Sequence, residues 1–294
     1  MSTLLLDIGG TFIKYGLSDE NGRLIESSVG QQACDSSADR TSILNAFAQI
    51  KEKTRAEGRV CCCIPGPFDF SRGVCLMKQK FTSLYGFSLT EYLQGLGLEP
   101  SWIHDSTAFL LGESFDGEAS SLNSCIGIML GTGFGFAVMK DRKVLLSRTQ
   151  GPLASMWNRP FGEGIVETYV SRHAIMSSYK DGKLDVKEIA DRARDNDPLA
   201  QQAFRSIGRC IEEIIKAYIP RAWYDGLVIG GQISKSADLF LDSIHLDVPV
   251  KAARHPGDAA LRGLAGASQV GIENCTRQYD YIDSPEKDLK ELSL

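Results

Sequence analysis

No apolar run in this chain of 294 residues approaches the ~20 that a membrane-spanning helix needs. The opening stretch MSTLLLDIGGTF has no basic segment, long apolar core or small-residue cleavage site, so no secretory leader is read and the cytoplasm is the expected location. Positive charge is not in excess: 32 Lys and Arg against 37 Asp and Glu leave a formal net charge of -5, which gives no broad field for holding nucleic acid. Histidines number only 4, and His173, His245 and His255 stand at no metal-ligand spacing. The 8 cysteines are scattered, with Cys61, Cys62 and Cys63 inside the apolar run VCCCI. They read as small buried hydrophobes and not as a disulfide framework. Two phosphate-binding signatures are also missing. No G-x-x-x-x-G-K-[ST] occurs, and no dinucleotide fingerprint, because each glycine turn leads into a strand instead of a helix.

What is present fits an ordinary globular protein, 43% hydrophobic and 23% charged, long enough for two cores. LLLDI, FIKYGL and RLIESSV read as short strands joined at Gly9-Gly10 and Asn21-Gly22. Ile43, Leu44, Phe47 and Ile50 then share one helical face, and VCCCI is a buried strand that stops at Pro65. Ser88 and Glu91 have capping-box spacing, and SWIH is a strand after which Asp105 begins a helix. The polar, small stretch DGEASSLNS marks a domain boundary, dividing the chain into residues 1–117, 118–271 and a charged tail, 272–294, expected to be loosely docked. The second part restarts in the manner of the first. CIGIML, a GTGFG turn and FAVM are followed by an amphipathic helix bearing Phe204, Ile207, Ile211, Ile214, Ile215 and Tyr218, then the strand GLVI and Gly230-Gly231.

The two strand–turn–strand units, LLLDIGGTFIKYGL and GIMLGTGFGFAVM, suggest duplicated halves facing a shared cleft. Gly9 and Gly10 allow backbone N–H groups to approach an anion closely, Thr11 adds a hydroxyl, and Lys14 brings a positive charge on the return strand. Asp7 suits Mg2+, an ion that takes few carboxylates and keeps several waters. Gly131, Thr132 and Gly133 repeat the device without a carboxylate. One nucleotide gripped by two turns, with its metal on the first side, accounts for the asymmetry.

Together with the IPGP segment, HDSTAFLLGE and VIGGQIS, these turns resemble, in order, the sugar kinases of the actin–hexokinase–Hsp70 superfamily, and within it the ROK family. The resemblance implies an α/β fold of two actin-like (ribonuclease H-like) domains, each a mixed sheet flanked by helices, around an interdomain cleft. It implies ATP and Mg2+ as cofactors, a small-molecule sugar as substrate, and, since relatives are often dimers, a homodimer as one assembly. Asp7 through Thr11 would be the first phosphate turn and Gly131 through Gly133 the second, with Gly230 and Gly231 against adenosine. Gly66 and Pro67 would line the sugar pocket, and Asp105 would be the catalytic base. Glu167 matches an acidic residue that contacts sugar in relatives, with Glu163 a second candidate. The chain also departs from the family. The stretch WNRPFGEGIVETYVS lacks the cysteines of the family's zinc motif, so no zinc site is expected. His104 stands where an Asn usually precedes the catalytic Asp, which bears on the hydroxyl chosen.

The chemistry is phosphoryl transfer, in which positioning and charge stabilisation dominate. Asp105, at the end of SWIH, would take the proton of the attacking hydroxyl; Lys80, in KFTSLYGF, is within plausible reach of the sugar. A non-catalytic sugar sensor and an ATPase of the Hsp70 or actin type are the alternatives, separated from a kinase by sugar-dependent ATP consumption.

Overall fold

In a computed structural model of the chain, which describes residues 2–179, 183–292 and 294, two mixed sheets lie side by side with helices packed on them. The first part contributes β1 (Thr3–Ile8), β2 (Phe12–Ser18), β3 (Gly30–Ala33), α1 (Arg40–Thr54), β4 (Gly58–Ile64), the short hairpin β5 (Phe68–Asp69) and β6 (Val74–Cys75), α2 (Leu89–Gly95) and β7 (Leu98–His104). The five-stranded sheet runs β3-β2-β1-β4-β7, with β1, β4 and β7 parallel neighbours. Alternation decides which side each residue covers. Leu4, Leu6, Ile8, Val60, Cys62 and Ile64 join the cluster that includes Phe47 and Ile50 of α1. Leu5, Cys61 and Cys63 face the opposite cluster. A run of three cysteines thus serves a strand buried on both faces.

RLIESSV is not a strand: residues Glu26–Ser28 form a single 3-10 turn, and the third strand starts at Gly30. Ser28 Oγ donates to Ile25 O (2.6 Å) and accepts from Leu17 N (2.8 Å). That local side-chain bonding displaces the ladder the pattern suggested.

The remainder comprises α3 (Asp105–Asp116), β8 (Cys125–Leu130), β9 (Phe134–Lys140), β10 (Lys143–Leu146), the hairpin β11 (Pro160–Phe161) and β12 (Gly164–Ile165), α4 (Val166–Tyr169), α5 (Arg172–Ser178), α6 (Val186–Arg194), α7 (Pro198–Tyr218), β13 (Leu227–Gly230), β14 (Val250–Ala252), α8 (Ala259–Val270), α9 (Ile272–Cys275) and β15 (Thr276–Gln278). The six-stranded sheet runs β14-β13-β8-β9-β10-β15. β8 pairs antiparallel with β9 and parallel with β13, as β1 does with β2 and β4, so the repeated strand–turn–strand pattern is a repeated topology. α7 is capped by Asp197, whose side chain accepts from Leu199 N and Ala200 N, with Pro198 in the first turn. Among the described residues, no helix is long and apolar enough to cross a membrane.

α3 and α8 cross between the sheets. α3 packs on β8 and β9, and α8 on β1, β2 and β4. A Cβ on Gly112 would lie 1.9 Å from Ala259 O, and one on Gly263 1.9 Å from Ala108 O, so the two backbones touch and only glycine fits. Fully buried Glu113 holds the crossing, its carboxylate accepting from Glu118 N (2.9 Å), Arg254 N (3.2 Å) and His255 N (3.3 Å).

The tail is not loose. β15 adds a strand parallel to β10, Tyr279 N donates to Leu146 O (2.9 Å), Arg148 N donates to Tyr281 O (2.8 Å), and Leu289 is fully buried. Its charged composition conceals a few apolar anchors and one carboxylate, Asp283, that pairs with a buried arginine.

Candidate active site

Parallel neighbours end at the same edge of a sheet, and strands lie about 4.8 Å apart. The register sets Asp7 opposite Cys63 and Ile64 opposite His104, so Asp7, the Pro65–Pro67 segment and the His104-Asp105 pair emerge side by side from β1, β4 and β7. The crevice beyond the carboxyl ends of such strands is where open α/β sheets bind ligands. In the second sheet, β8 runs into the Gly131–Gly133 turn, and its parallel neighbour β13 ends at Gly230, opposite Met129.

The first turn is closed by Gly9 N donating to Phe12 O (3.0 Å), an oxygen that a Cβ on Gly9 would approach to 2.9 Å. Gly10 lies against Ser36, whose N–H donates to Gly10 O (2.9 Å), and Thr11 is exposed. Lys14 Nζ donates to Gly257 O (2.6 Å), tying the return strand to the loop before α8. In the second turn Gly131 N donates to Gly133 O (3.1 Å), Thr132 is exposed, and the space where Gly131 would carry a Cβ is open. Gly231 has φ +84, and a Cβ there would lie 2.2 Å from Leu130 O; Gly230 rests on the Phe109 ring, one turn along α3 from Asp105.

Asp105 opens α3 with its carboxylate partly exposed. Its Oδ1 accepts from Ser106 N (2.7 Å) and lies 2.8 Å from His104 Nδ1. Ser106 Oγ donates to Phe136 O (2.9 Å) and is also 2.9 Å from His104 Nδ1. A hydroxyl has one hydrogen, and this one goes to Phe136, so the contact with His104 requires Nδ1 to carry the proton. The contacts therefore assign a proton to Nδ1, which donates toward Asp105 and Ser106 Oγ, while the Ser106 N–H, 3.2 Å from Nδ1, is spent on Asp105 Oδ1. Nε2 lies 3.6 Å from where a Gly66 Cβ would be. Because Phe136 follows the second turn, Ser106 also binds the start of α3 to the opposite sheet.

The two carboxyls are driven in opposite directions. Burial pushes Asp105 up, but His104, the Ser106 N–H and Lys80 outweigh it and hold the carboxyl below the usual range. Burial pushes Asp7 up; Lys14 draws it down, nearby Asp105 pushes it up again, and the Cys63 thiol, donating to Oδ1 at 3.4 Å, lowers it only slightly. Asp7 ends above the usual range, a carboxylate whose ionised form lacks sufficient positive company. That fits a divalent cation. Among the described residues there is no group of three or more His, Cys, Asp or Glu that would cage a metal, so the donor set suits an ion that keeps its waters and shares phosphate oxygens, as Mg2+ does.

Gly66 and Pro67 are exposed just past β4. Glu167 Oε2 accepts from Phe134 N (3.1 Å), placing its carboxylate on the second turn. Glu163 sits exposed at the β11–β12 tip, its N–H donating to Tyr169 Oη (3.0 Å), and its carboxylate joins none of the others. Sequence reasoning missed the roles of Ser106 and Cys63: nothing in the pattern links Ser106 to Phe136, whereas the β1–β4 pairing, once drawn, puts Cys63 beside Asp7.

A family model described as ROK family matches residues 3–156 and 158–265. The glucokinase of Thermotoga maritima is 22% identical over 264 residues, covering 80% of this chain and 83% of its own. An N-acetylmannosamine kinase of Salmonella heidelberg is 25% identical over 290 residues, covering 92% of this chain and 99% of its own. The crystal structure of a ROK family glucokinase from Streptomyces griseus, in complex with glucose and AMPPNP, matches with a TM-score of 0.74 and 22% identity, over 90% of this chain and 98% of that one. The architecture shared is two actin-like domains of mixed sheet and flanking helices.

Proposed function

The chain belongs to the ROK family, and we propose that it is an ATP-dependent carbohydrate kinase that phosphorylates a hydroxyl of a hexose or N-acylhexosamine, with Asp105 as general base. The observation that carries this reading is the position of Asp105: an ionised, partly exposed carboxylate between the Asp7 turn and the return strand of the Gly131–Gly133 turn. The lobes would divide near 117/118 in the chain, with α3 and α8 packed on each other between the two sheets, and residues 272–294 would form an appended segment.

The first turn, with Gly9, Gly10, Thr11 and Lys14, and the second, with Gly131, Thr132 and Gly133, would hold the triphosphate from two sides. The Gly9 and Gly131 N–H groups close the turns, and the other backbone N–H groups and the threonine hydroxyls would turn to phosphate. Gly230 and Gly231, at the end of β13, would lie against adenosine. Asp7 would hold Mg2+ through its waters; that ion, when bound, neutralises phosphate charge. Gly66, Pro67, His104 and Glu167 would face the sugar, with Glu163, exposed at the β11–β12 tip, as the second acidic candidate. Asp105 Oδ1 is engaged by Ser106 N and His104, so Oδ2 is the oxygen left to accept the sugar's proton. A carboxyl of depressed pKa is a weak base, yet it suits a loose transition state, in which the acceptor hydroxyl is deprotonated late and orientation matters most. His104 would hydrogen-bond a neighbouring sugar hydroxyl through Nε2.

Coupled ADP release measured in parallel with glucose, fructose, mannose, allose, N-acetylglucosamine and N-acetylmannosamine tests the reading. Release that depends on at least one sugar is expected. Hydrolysis at one rate with or without any of them contradicts it in favour of an ATPase; tight sugar binding without turnover favours a sensor.

A further inference from the structure

Arg159 is fully buried, the largest such side chain among the described residues, and it carries a charge. Removing a guanidinium from water is costly unless its donors are matched, and among the described residues Nε alone of its three nitrogens has no partner. Nη2 donates to Asp283 Oδ1 (2.6 Å), and Nη1 to Lys287 O (2.6 Å) and Pro285 O (3.4 Å). Asp283 is itself held: Oδ2 accepts from Ser155 N (2.6 Å) and Oδ1 from the Tyr281 hydroxyl (3.0 Å). The fork geometry of arginine allows this grip, and a lysine's single ammonium could not span the three acceptors. These acceptors of Nη1 and Nη2 thus lie in residues 283–287, far along the chain from the loop that Arg159 occupies, and the Tyr218 ring lies 5.7 Å from the guanidinium carbon.

That loop leads through the β11–β12 hairpin to Glu167 in the first turn of α4. Val166 N donates to Arg159 O (2.9 Å) and Glu167 N to Trp157 O (2.9 Å), so the backbone around Arg159 is the template on which Glu167 is set. The β11–β12 hairpin between them has two residues per strand, and a hairpin that short has little stability alone. Its base is fixed from beneath by the arginine. From there the Glu167 carboxylate reaches Phe134 N at the second turn.

We propose that the Arg159–Asp283 pair is a positioning device through which residues 281–287 set the placement of the Glu167 loop, and with it the affinity for sugar. This rests on the kinase reading, in which Glu167 faces the sugar. The first phosphate turn belongs to the other sheet, and the second is formed by the β8–β9 hairpin itself. Glu167 also accepts from Phe134 N at the second turn, so nucleotide affinity responds to the pair, but less than sugar affinity does.

The test uses the full chain with Asp283→Ala, Arg159→Met, the double variant, and Tyr281→Phe, which removes one hydroxyl bond and guards against failure to fold. KM for ATP and for the most active sugar of the panel is measured well below each variant's melting temperature. KM does not depend on the folded fraction, so a pair that only stabilised the fold would lower Tm and apparent kcat yet leave sugar KM unchanged. Sugar KM is expected to rise about tenfold or more in either charge variant, as misplacement of a contacting group requires. ATP KM should rise clearly less than sugar KM, and the double variant should be no worse than the worse single. Tyr281→Phe should give a smaller rise in the same direction. Sugar KM within about twofold of wild type in the folded variants overturns the proposal, as does an equal rise in both KM values. Should the wild type show no sugar-dependent turnover, the kinase reading falls separately. Amide exchange over residues 155–167 then decides the device: faster exchange in Asp283→Ala, with β1 and β4 unchanged, supports it, and unaltered exchange overturns it.

Discussion

Replacing His104 with leucine removes the donor that lies 2.8 Å from Asp105 Oδ1 while leaving Ser106 N, at 2.7 Å, in place. A hydrogen bond to a charged group contributes about 1.5–3 kcal/mol. Water can reach this partly exposed carboxylate, so the lower end applies, and about 1.5 kcal/mol corresponds to roughly tenfold in kcat. The sign of the pH effect follows from the causes at Asp105. Burial raises its pKa and His104 is the first of the partners that lower it, with Lys80 and the Ser106 N–H remaining after substitution and Asp7 a nearby like charge. Losing His104 lets the Asp105 pKa climb. Since Asp105 acts ionised, the acid limb of kcat/KM should move to higher pH in His104→Leu, and His104→Gln, which retains an N–H donor, should recover part of the shift. The assay is coupled ADP release with saturating MgATP between pH 4.5 and 8. An acid limb that stays where it was, or that moves down because His104 itself was the titrating group, refutes the reasoning.

Asp7→Asn should separate stability from activity. Burial raises the Asp7 pKa, so its charge opposes folding; that cost is absent below the ordinary carboxylate range and is felt as pH rises through the folded value. The variant should melt no lower than wild type at pH 7, with the difference shrinking as pH falls toward 4. Turnover at saturating Mg2+ should drop about 10²-fold, as for other lost electrostatic contacts to a reacting centre; a Tm well below wild type at pH 7 would count against this account. Gly112→Ala sets a methyl 1.9 Å from Ala259 O at the α3–α8 crossing. It should cost about 3 kcal/mol or more, the upper range of overpacking, measured by urea unfolding; a loss under about 0.5 kcal/mol would mean the helices part easily.

Much of the first sheet is legible because its signals are local. Asp105 follows an apolar strand directly and opens a helix, and Gly9-Gly10 can only be a turn between two apolar runs. The glycine turns and the strand-end carboxylates sit where they do because alternation and chain reversal are written in adjacent residues. RLIESSV misleads because a serine hydroxyl outbids the ladder at short range. What the pattern conceals is long-range. Ser106 reaches Phe136, Lys14 reaches Gly257, and Arg159 reaches Asp283 across 124 positions. The stretch that lacks the family's cysteines is held by that last pair, inside a tail whose charge suggested looseness. No periodicity records such partnerships, since each depends on how two distant segments stack.

The central claim rests most directly on Asp105→Asn. That variant keeps the size of the side chain but has no carboxylate to accept the proton, and general-base loss costs about 10²-fold or more in rate. Calorimetric titration with AMPPNP, alongside sugar-dependent ADP release, should show turnover lowered by at least that factor with nucleotide affinity nearly intact. Turnover close to wild type would contradict the account, because the proton would then be leaving by another route.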